Sequence, residues 1–139
     1  MGIVRGGCPR ESKQMRSFRV KAVVLGSLVD IVGSMATFAI LRAVFGAGWR
    51  DGRAPLAMEA AVGLAFSFLG GLTAARLARR RELAHSVATA LPCFLLGLLV
   101  PVDWASSPAW HLALSHLGPF PFALLGGYCG RGWNRAAAV

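Results

Sequence analysis

Four long apolar segments, separated by short gaps that hold most of the charge, constrain this chain more than any other feature. They cover about residues 20–45, 55–77, 84–102 and 108–130. A helix of roughly 20 apolar residues spans a bilayer core. The first, second and fourth segments meet that length easily, and the third is near its lower limit. With 55% hydrophobic residues, the sequence predicts an all-α, polytopic membrane protein with four transmembrane helices.

The alternative is a water-soluble bundle with unusually apolar helices. Helices at the surface of a soluble protein carry a charged face that recurs at every turn. Residues 22–41 contain only one charged residue, Asp30, and residues 60–75 contain none. The sequence therefore favours lipid as the solvent of these helices.

The distribution of Lys and Arg predicts the orientation. Six basic residues precede the first apolar segment or open it, four lie at 76–81 and two follow the fourth segment, whereas only Arg42, Arg50 and Arg53 fall in the first gap. The positive-inside rule then places twelve basic residues and both termini in the cytoplasm, with the helices forming two hairpins. The net charge of +9 is explained by this topology, so no nucleic-acid partner is predicted.

Compartment and boundaries follow from composition. The preference for Arg over Lys, with abundant Ala and Gly, indicates a GC-rich bacterial genome and hence the inner membrane.

We expect a basic, disordered cytoplasmic tail at 1–17, a transmembrane domain at 18–133 and a short tail at 134–139. Translation could start at Met1 or at Met15. The tail and Arg79, Arg80 and Arg81 are expected to contact anionic lipid headgroups.

Tryptophan positions agree with this topology. Three of them fall at the predicted outer ends of the segments and one falls past the inner end of the fourth: Trp49, Trp104, Trp110 and Trp133. Amphipathic indole rings concentrate at membrane interfaces. No Trp is predicted in the middle of a span.

Small residues recur at helical spacing within each apolar segment. Such stripes mark the faces where transmembrane helices pack closely, and the glycines expected to do so are Gly26, Gly33, Gly63, Gly70, Gly71, Gly126 and Gly127. The stripe of the fourth segment also includes His111, Ser115 and Phe122. Close packing is favoured over a lined pathway. Residues 66–72 and 122–128 are similar, which suggests two hairpins of the same orientation.

Four ionisable residues lie within the apolar segments and form a candidate intramembrane polar site: Asp30, Glu59, His111 and His116. Asp30 is expected roughly 13 Å into the membrane, and whether it is charged stays open. Helical rise allows Glu59 to pair with either histidine, while Asp30 lies deeper. A static polar clamp between helices is favoured over a proton relay.

Three prolines are expected to distort the helices. Pro119 and Pro121 each remove a backbone donor and disfavour helix at the preceding residue, which predicts a broken fourth span. Pro92 is expected to kink the third span at similar depth. Broken helices at mid-membrane are where transporters place binding sites.

No catalytic constellation is recognisable. The sequence contains no nucleophile–base pair, and Cys8, Cys93 and Cys129 have neither the spacing of a metal site nor an evident disulfide pairing. We therefore expect neither an enzyme nor a bound cofactor or metal.

One resemblance bears on the class of protein. The basic-then-apolar start at 19–26, the acid Asp30 and the stretch from Gly70 to Leu83 make the chain similar to small four-span bacterial integral membrane proteins of unknown function. The resemblance covers the span plan and implies no activity. A structural or accessory subunit of a membrane complex, or a homo-oligomer, is the favoured function. A small, proton-linked transporter or channel, with a site near Asp30, His116 and the broken span, is the alternative.

Overall fold

Five α-helices make up the described part of the chain, residues 19–46, 53–99 and 107–137 of a computed structural model. They are α1 (Val20–Phe45), α2 (Arg53–Ala78), α3 (Glu82–Leu99), α4 (Ala109–Leu117) and α5 (Pro119–Ala136). The described residues contain no strand. Three helices, α1, α2 from Pro55 onward and α3, are long and apolar enough to cross a membrane. The predictions for the 1–17 tail, Cys8, Trp49 and Trp104 lie outside the described residues.

The bounds of α1 coincide with the first predicted span, because a mainly apolar run lies between Arg19 and the turn residue Gly46. Gly46 has a φ of 83°, a left-handed conformation that glycine adopts without strain, and its N–H caps the helix by donating to the Arg42 carbonyl. The end of α5 at Ala136 extends the fourth helix beyond the predicted limit of residue 130.

The predicted break in the fourth span is a bend. The Gly118 backbone has helical angles (φ −58°, ψ −37°), its N–H donates to the Leu114 carbonyl at 3.1 Å, and its carbonyl accepts from Phe122 at 3.3 Å. Pro119 is the first residue of α5, where a missing N–H costs least. Likewise, α3 continues through Pro92. Proline therefore bends the fourth helix without interrupting its course.

Contacts along each helix pair give the directions of the helices. Within each half of the chain the neighbours are antiparallel, α1 with α2 and α3 with α5; between the halves, α1 is parallel to α3 and α2 is parallel to α5. The contacts Gly26–Gly70 and Gly33–Phe66 join α1 to α2, and Ser86–Gly127 and Phe94–Phe120 join α3 to α5. The contacts Arg19–His85 and Ser27–Thr89 join α1 to α3, and Gly71–Ala123 and Ala75–Asn134 join α2 to α5. The structure thus contains two helical hairpins that run in the same direction.

The interior of the bundle is built from small residues. Every buried hydrophobic residue in the described ranges is an alanine, and the largest fully buried side chains are polar: His85, Thr89, Asp30, Ser67 and Ser86. Large apolar side chains instead face outward. Among them are Val44, Phe45, Leu99 and Leu117, which are 61–79% exposed. This distribution inverts that of a water-soluble bundle and is typical of helices that pack in lipid.

Glycine allows the closest helix crossings. A Cβ added to Gly26 would lie 2.6 Å from the Gly70 carbonyl oxygen, and one added to Gly70 would lie 2.7 Å from that of Gly26. Cβ atoms on Gly71 and Gly126 would overlap the backbone carbonyls of Ala123 and Phe68. These crossings lie in the half of the bundle that contains the start of α1 and the end of α2.

The remaining glycines differ in their surroundings. A Cβ on Gly33 would overlap the Phe66 ring, and one on Gly127 would overlap the Ser86 hydroxyl. Gly63 departs from the expectation of close packing, because a Cβ there would meet no heavy atom within 4 Å. Beyond Ser34, no residue of α1 is buried.

The basic end is the end of the bundle formed by the start of α1, the turn between α2 and α3, and the end of α5. Its basic residues are Arg19, Lys21, Arg76, Arg79, Arg80, Arg81, Arg131 and Arg135. Two of them, Arg79 and Arg81, have positive φ angles of 54° and 51°. That backbone conformation costs an L-residue about 1–2 kcal/mol and is normally taken by glycine.

Candidate functional site: the buried polar layer

A buried polar layer joins α1, α2 and α3 near the middle of the bundle. We define it as Ser27, Asp30, Ser67, Ser86 and Thr89, none of which is more than 6% exposed. All five lie on the small-residue stripes, so the same helix faces supply both the close contacts and the polar groups. A buried polar group must find a hydrogen-bond partner or destabilise the fold.

Asp30 and Ser67 form the central contact of the layer. The Ser67 hydroxyl lies 3.1 Å from both carboxyl oxygens of Asp30, and its single proton is shared between them. Asp30 is 1% exposed, and among the described residues no basic side chain is paired with it. A carboxyl group in this position costs several kcal/mol if it is charged, so it is the most unusual group in the interior.

Ser27 and Ser86 bind backbone carbonyls of neighbouring helices, whereas the Thr89 hydroxyl donates to the Ser86 carbonyl of its own helix at 2.6 Å. The Ser27 hydroxyl donates to the Thr89 carbonyl at 3.3 Å, which joins α1 to α3. The Ser86 hydroxyl lies 2.8 Å from the Gly71 carbonyl and 2.8 Å from the Glu82 carbonyl, so it joins α3 to α2 while bonding within its own helix. These bonds act as static clamps between helices that small residues bring together.

Ser34 lies one helical turn from Asp30 and is buried without a hydrogen-bond partner for its hydroxyl among the described residues. In the antiparallel register set by Asp30 and Ser67, Ser34 on α1 is opposite Gly63 on α2. A side chain at Gly63 would meet nothing within 4 Å, so there is open space at Gly63, while the Ser34 hydroxyl itself is enclosed.

His85 is a buried site residue that the sequence analysis missed. It is 1% exposed, and its Nε2 accepts the backbone N–H of Arg19 at 2.9 Å. Its Nδ1 lies 2.9 Å from the Arg81 carbonyl, so Nδ1 carries the proton and donates. The signal was present, because His85 precedes the polar positions Ser86 and Thr89 on the same helix.

The other sequence-predicted ionisable residues lie elsewhere. His111 and His116 are half-buried on α4, and α4 does not contact α1, which carries Asp30. His116 Nδ1 lies 3.0 Å from the Leu112 carbonyl. Glu59 is half-buried near the start of α2. A single site that includes both Asp30 and His116 is therefore not formed.

The stripe predicted for the fourth span also requires correction. No residue of α4 is buried, Ser115 is exposed, and Phe122 is 36% exposed. The buried face of α5 is instead Pro119, Ala123, Gly126, Gly127 and Gly130. The bend at Gly118 sets this face, since it changes the direction of the helix axis relative to α4.

Two contacts secure the end of α5 against α2 at the basic end. The Asn134 amide donates to the Ala75 carbonyl at 3.0 Å, and the Arg76 guanidinium lies 4.0 Å from the centre of the Trp133 ring. An exposed cation–π contact contributes about 0.5–1 kcal/mol. Trp133 therefore combines the predicted end-of-span position with a specific partner.

The described residues supply no recognisable reactive centre. Cys93 and Cys129 are free thiols, and no group of three or more His, Cys, Asp or Glu residues in the described ranges could hold a metal ion. No protein-family model, curated protein or solved structure matches the chain.

Proposed function

We propose that this chain is a multi-pass protein of the bacterial cytoplasmic membrane, similar in plan to the small four-span membrane proteins. Its crossing segments are α1, α2, α3 and the bent α4–α5 pair. The inverted interior carries this proposal: small and polar residues pack inside, and large apolar residues face outward. Exposing those side chains to water would oppose solubility, whereas lipid solvates them.

The basic end lies in the cytoplasm in this proposal, together with both termini. Clustered Lys and Arg residues are retained on the cytoplasmic side of bacterial membranes. Labelling with a membrane-impermeant maleimide in a cysteine-free background tests the orientation. Ser107→Cys should react in intact cells and Arg80→Cys only after lysis. Reaction of Arg80→Cys in intact cells would contradict the orientation.

The activity best supported is that of a structural or accessory subunit which packs with other membrane helices. Support comes from the crossings near the basic end, where Gly26 contacts Gly70 and Gly71 contacts Ala123, so that backbones fill the interior. These contacts leave the outward faces as the surfaces available for recognition. The part of α1 after Ser34 is the most open of them, with Met35, Ile40 and Val44 62–68% exposed.

Site-specific photocrosslinking in native membranes tests this role. A photoreactive residue at Ile40 should give a discrete protein adduct, while one at Leu125, which is also exposed on α5, should react mainly with lipid. Native mass spectrometry in mild detergent should detect the same partner or a second copy. A monomer without adducts at Ile40 would refute the accessory role.

A proton-linked transporter is a second candidate, and a specific observation favours it. Asp30 is a buried carboxyl group one turn from the unbonded Ser34 hydroxyl, and open space lies opposite at Gly63. Flux in proteoliposomes that is lost in Asp30→Asn but retained in Ser115→Ala would support transport. Proton or solute flux that is equal in both variants would remove this candidate.

A further inference from the structure

A cavity of about 640 Å³ opens at the basic end where the start of α1 meets the end of α2. Its lining residues are Arg19, Val20, Lys21, Ala22, Leu25 and Leu77. Two of these are cationic and the other four are apolar. Among the described residues, those that line it include no acid. We call the two cationic residues, Arg19 and Lys21, the rim of the cavity and the four apolar residues its wall.

The rim is held in place by contacts with two other helices. An Arg19 guanidinium N–H donates to the Leu77 carbonyl at 3.3 Å, which leaves its other N–H groups able to donate to a ligand. The Arg19 backbone N–H donates to His85 on α3. The Arg19 backbone is thereby held against α3 and its guanidinium lies at the end of α2, beside the arginine turn of residues 79–81. Lys21 is exposed nearby on the same helix turn.

The apolar wall continues along the outward face of the bundle. Val20, Leu25 and Leu77 are 64%, 48% and 43% exposed, so the cavity is open on its lipid-facing side. A ligand that fills it must combine an anionic group with a hydrocarbon chain. Free phosphate would satisfy the rim and leave the wall uncovered. The chain's own N-terminal residues carry Arg5, Arg10, Lys13 and Arg16 against a single acid, Glu11, and so have the same sign of charge as the rim.

We propose that this cavity is a binding site for one anionic phospholipid, with the phosphate between Arg19 and Lys21 and an acyl chain along Val20, Leu25 and Leu77. This proposal rests on the proposed membrane location and adds a defined lipid site to the general affinity of the arginine turn for headgroups. A guanidinium binds phosphate oxygens in bidentate geometry. Each basic residue near a membrane surface contributes about 1 kcal/mol, which is roughly a fivefold change in affinity.

Native mass spectrometry of the full chain, released from nanodiscs of mixed phosphatidylglycerol and phosphatidylcholine, tests the site. The wild type should retain one phosphatidylglycerol molecule. The Arg19→Gln/Lys21→Gln variant should retain it at least tenfold less, while the matched Arg131→Gln/Arg135→Gln variant, which removes the same charge at the same end, should retain it. Equal loss in both variants would overturn the site, since it would indicate unspecific charge attraction.

Two further arms separate the possible occupants. Leu77→Asn preserves the rim charges and should reduce phosphatidylglycerol retention, and soluble glycerophosphoglycerol should not displace the bound lipid. Displacement by the soluble headgroup would overturn the acyl-chain contribution. A bound lipid that is lost only when residues 1–18 are present would overturn the assignment in favour of the chain's own N-terminal segment.

Failure of the lipid site can be distinguished from failure of the membrane proposal. If the chain does not partition into liposomes at all, the membrane location is wrong. If all variants partition equally and bind both lipids without preference, the membrane location holds and the lipid site is wrong. Lys21→Gln alone provides a milder variant, with an expected loss of about fivefold, should the double variant fail to elute as a monodisperse species.

Discussion

Replacing Gly126 with alanine should destabilise the bundle, although alanine is the better helix former. A Cβ at Gly126 would overlap the Phe68 carbonyl and lie 2.8 Å from the Leu72 backbone nitrogen. Both neighbours are backbone atoms, so the clash cannot be relieved by turning a side chain, and α2 and α5 must separate. Overpacking of this kind costs about 1–3 kcal/mol.

Gly132 provides a matched control on the same helix. A Cβ at Gly132 would meet no heavy atom within 4 Å, so Gly132→Ala should only gain helix propensity, up to about 1 kcal/mol. The same gain at Gly126 offsets part of the clash. We therefore expect the two variants to differ in free energy of unfolding by roughly 1–3 kcal/mol, with opposite signs relative to the wild type.

Thermal and denaturant unfolding in a mild detergent, followed by tryptophan fluorescence, measures this difference. The melting temperature should fall for Gly126→Ala and rise slightly for Gly132→Ala. A double variant that adds Gly71→Ala should be less than additive, because both glycines occupy the same helix crossing. If Gly126→Ala and Gly132→Ala were equally stable, the close approach of α2 and α5 would be refuted.

Two further substitutions test the polar layer and the arginine turn. Ser67→Ala removes the hydroxyl that bonds Asp30 and should lower the free energy of unfolding by about 1–2 kcal/mol. Ser115→Ala, at an exposed position, should change it little. Equal effects of the two variants in the same unfolding assay would contradict a buried bond. Arg79→Gly relieves a positive φ angle and should raise the free energy of unfolding by about 1 kcal/mol, while Arg80→Gly should not raise it. A lower free energy of unfolding in Arg79→Gly would argue against the left-handed turn.

Local sequence patterns predict the helices well, because each depends on a continuous apolar run. The start of α1 after Arg19 and its end before Gly46 are both visible in the sequence. The stripe positions Gly26 and Gly70 are also visible, since small residues at helical spacing stand out among Leu and Val. These features require no knowledge of the neighbouring helix.

The sequence does not predict in the same way which helix faces pack against each other. Which stripe faces which helix depends on the rotation of each helix and on where helix axes diverge. Gly63 continues the stripe of α2 but faces open space. A shared site of Asp30 and His116 is absent because α1 and α4 do not contact each other, which adds to the difference in depth that the sequence already indicated.

The effect of a proline on a helix depends on its position in that helix. Pro119 would break a helix if it lay in the interior of one, but it begins α5 directly after a helical glycine. His85 shows the opposite problem: its surroundings in the sequence are basic and polar, while its position is buried. Depth along a helix can be counted from a sequence, but the side of the helix that is covered depends on tertiary packing.

The parallel pairing of α2 with α5 has a consequence for the order in which the protein assembles. During synthesis α2 is complete long before Ala123 and Gly126 emerge from the ribosome, so its Gly71 face must wait for its partner. In the proposed membrane location, the first hairpin can insert by itself, yet the bundle is finished only when the last helix arrives and docks. Newly inserted α1–α2 hairpins are consequently open to a substitute helix, from another copy or another protein, in the interval before their own α5 is available.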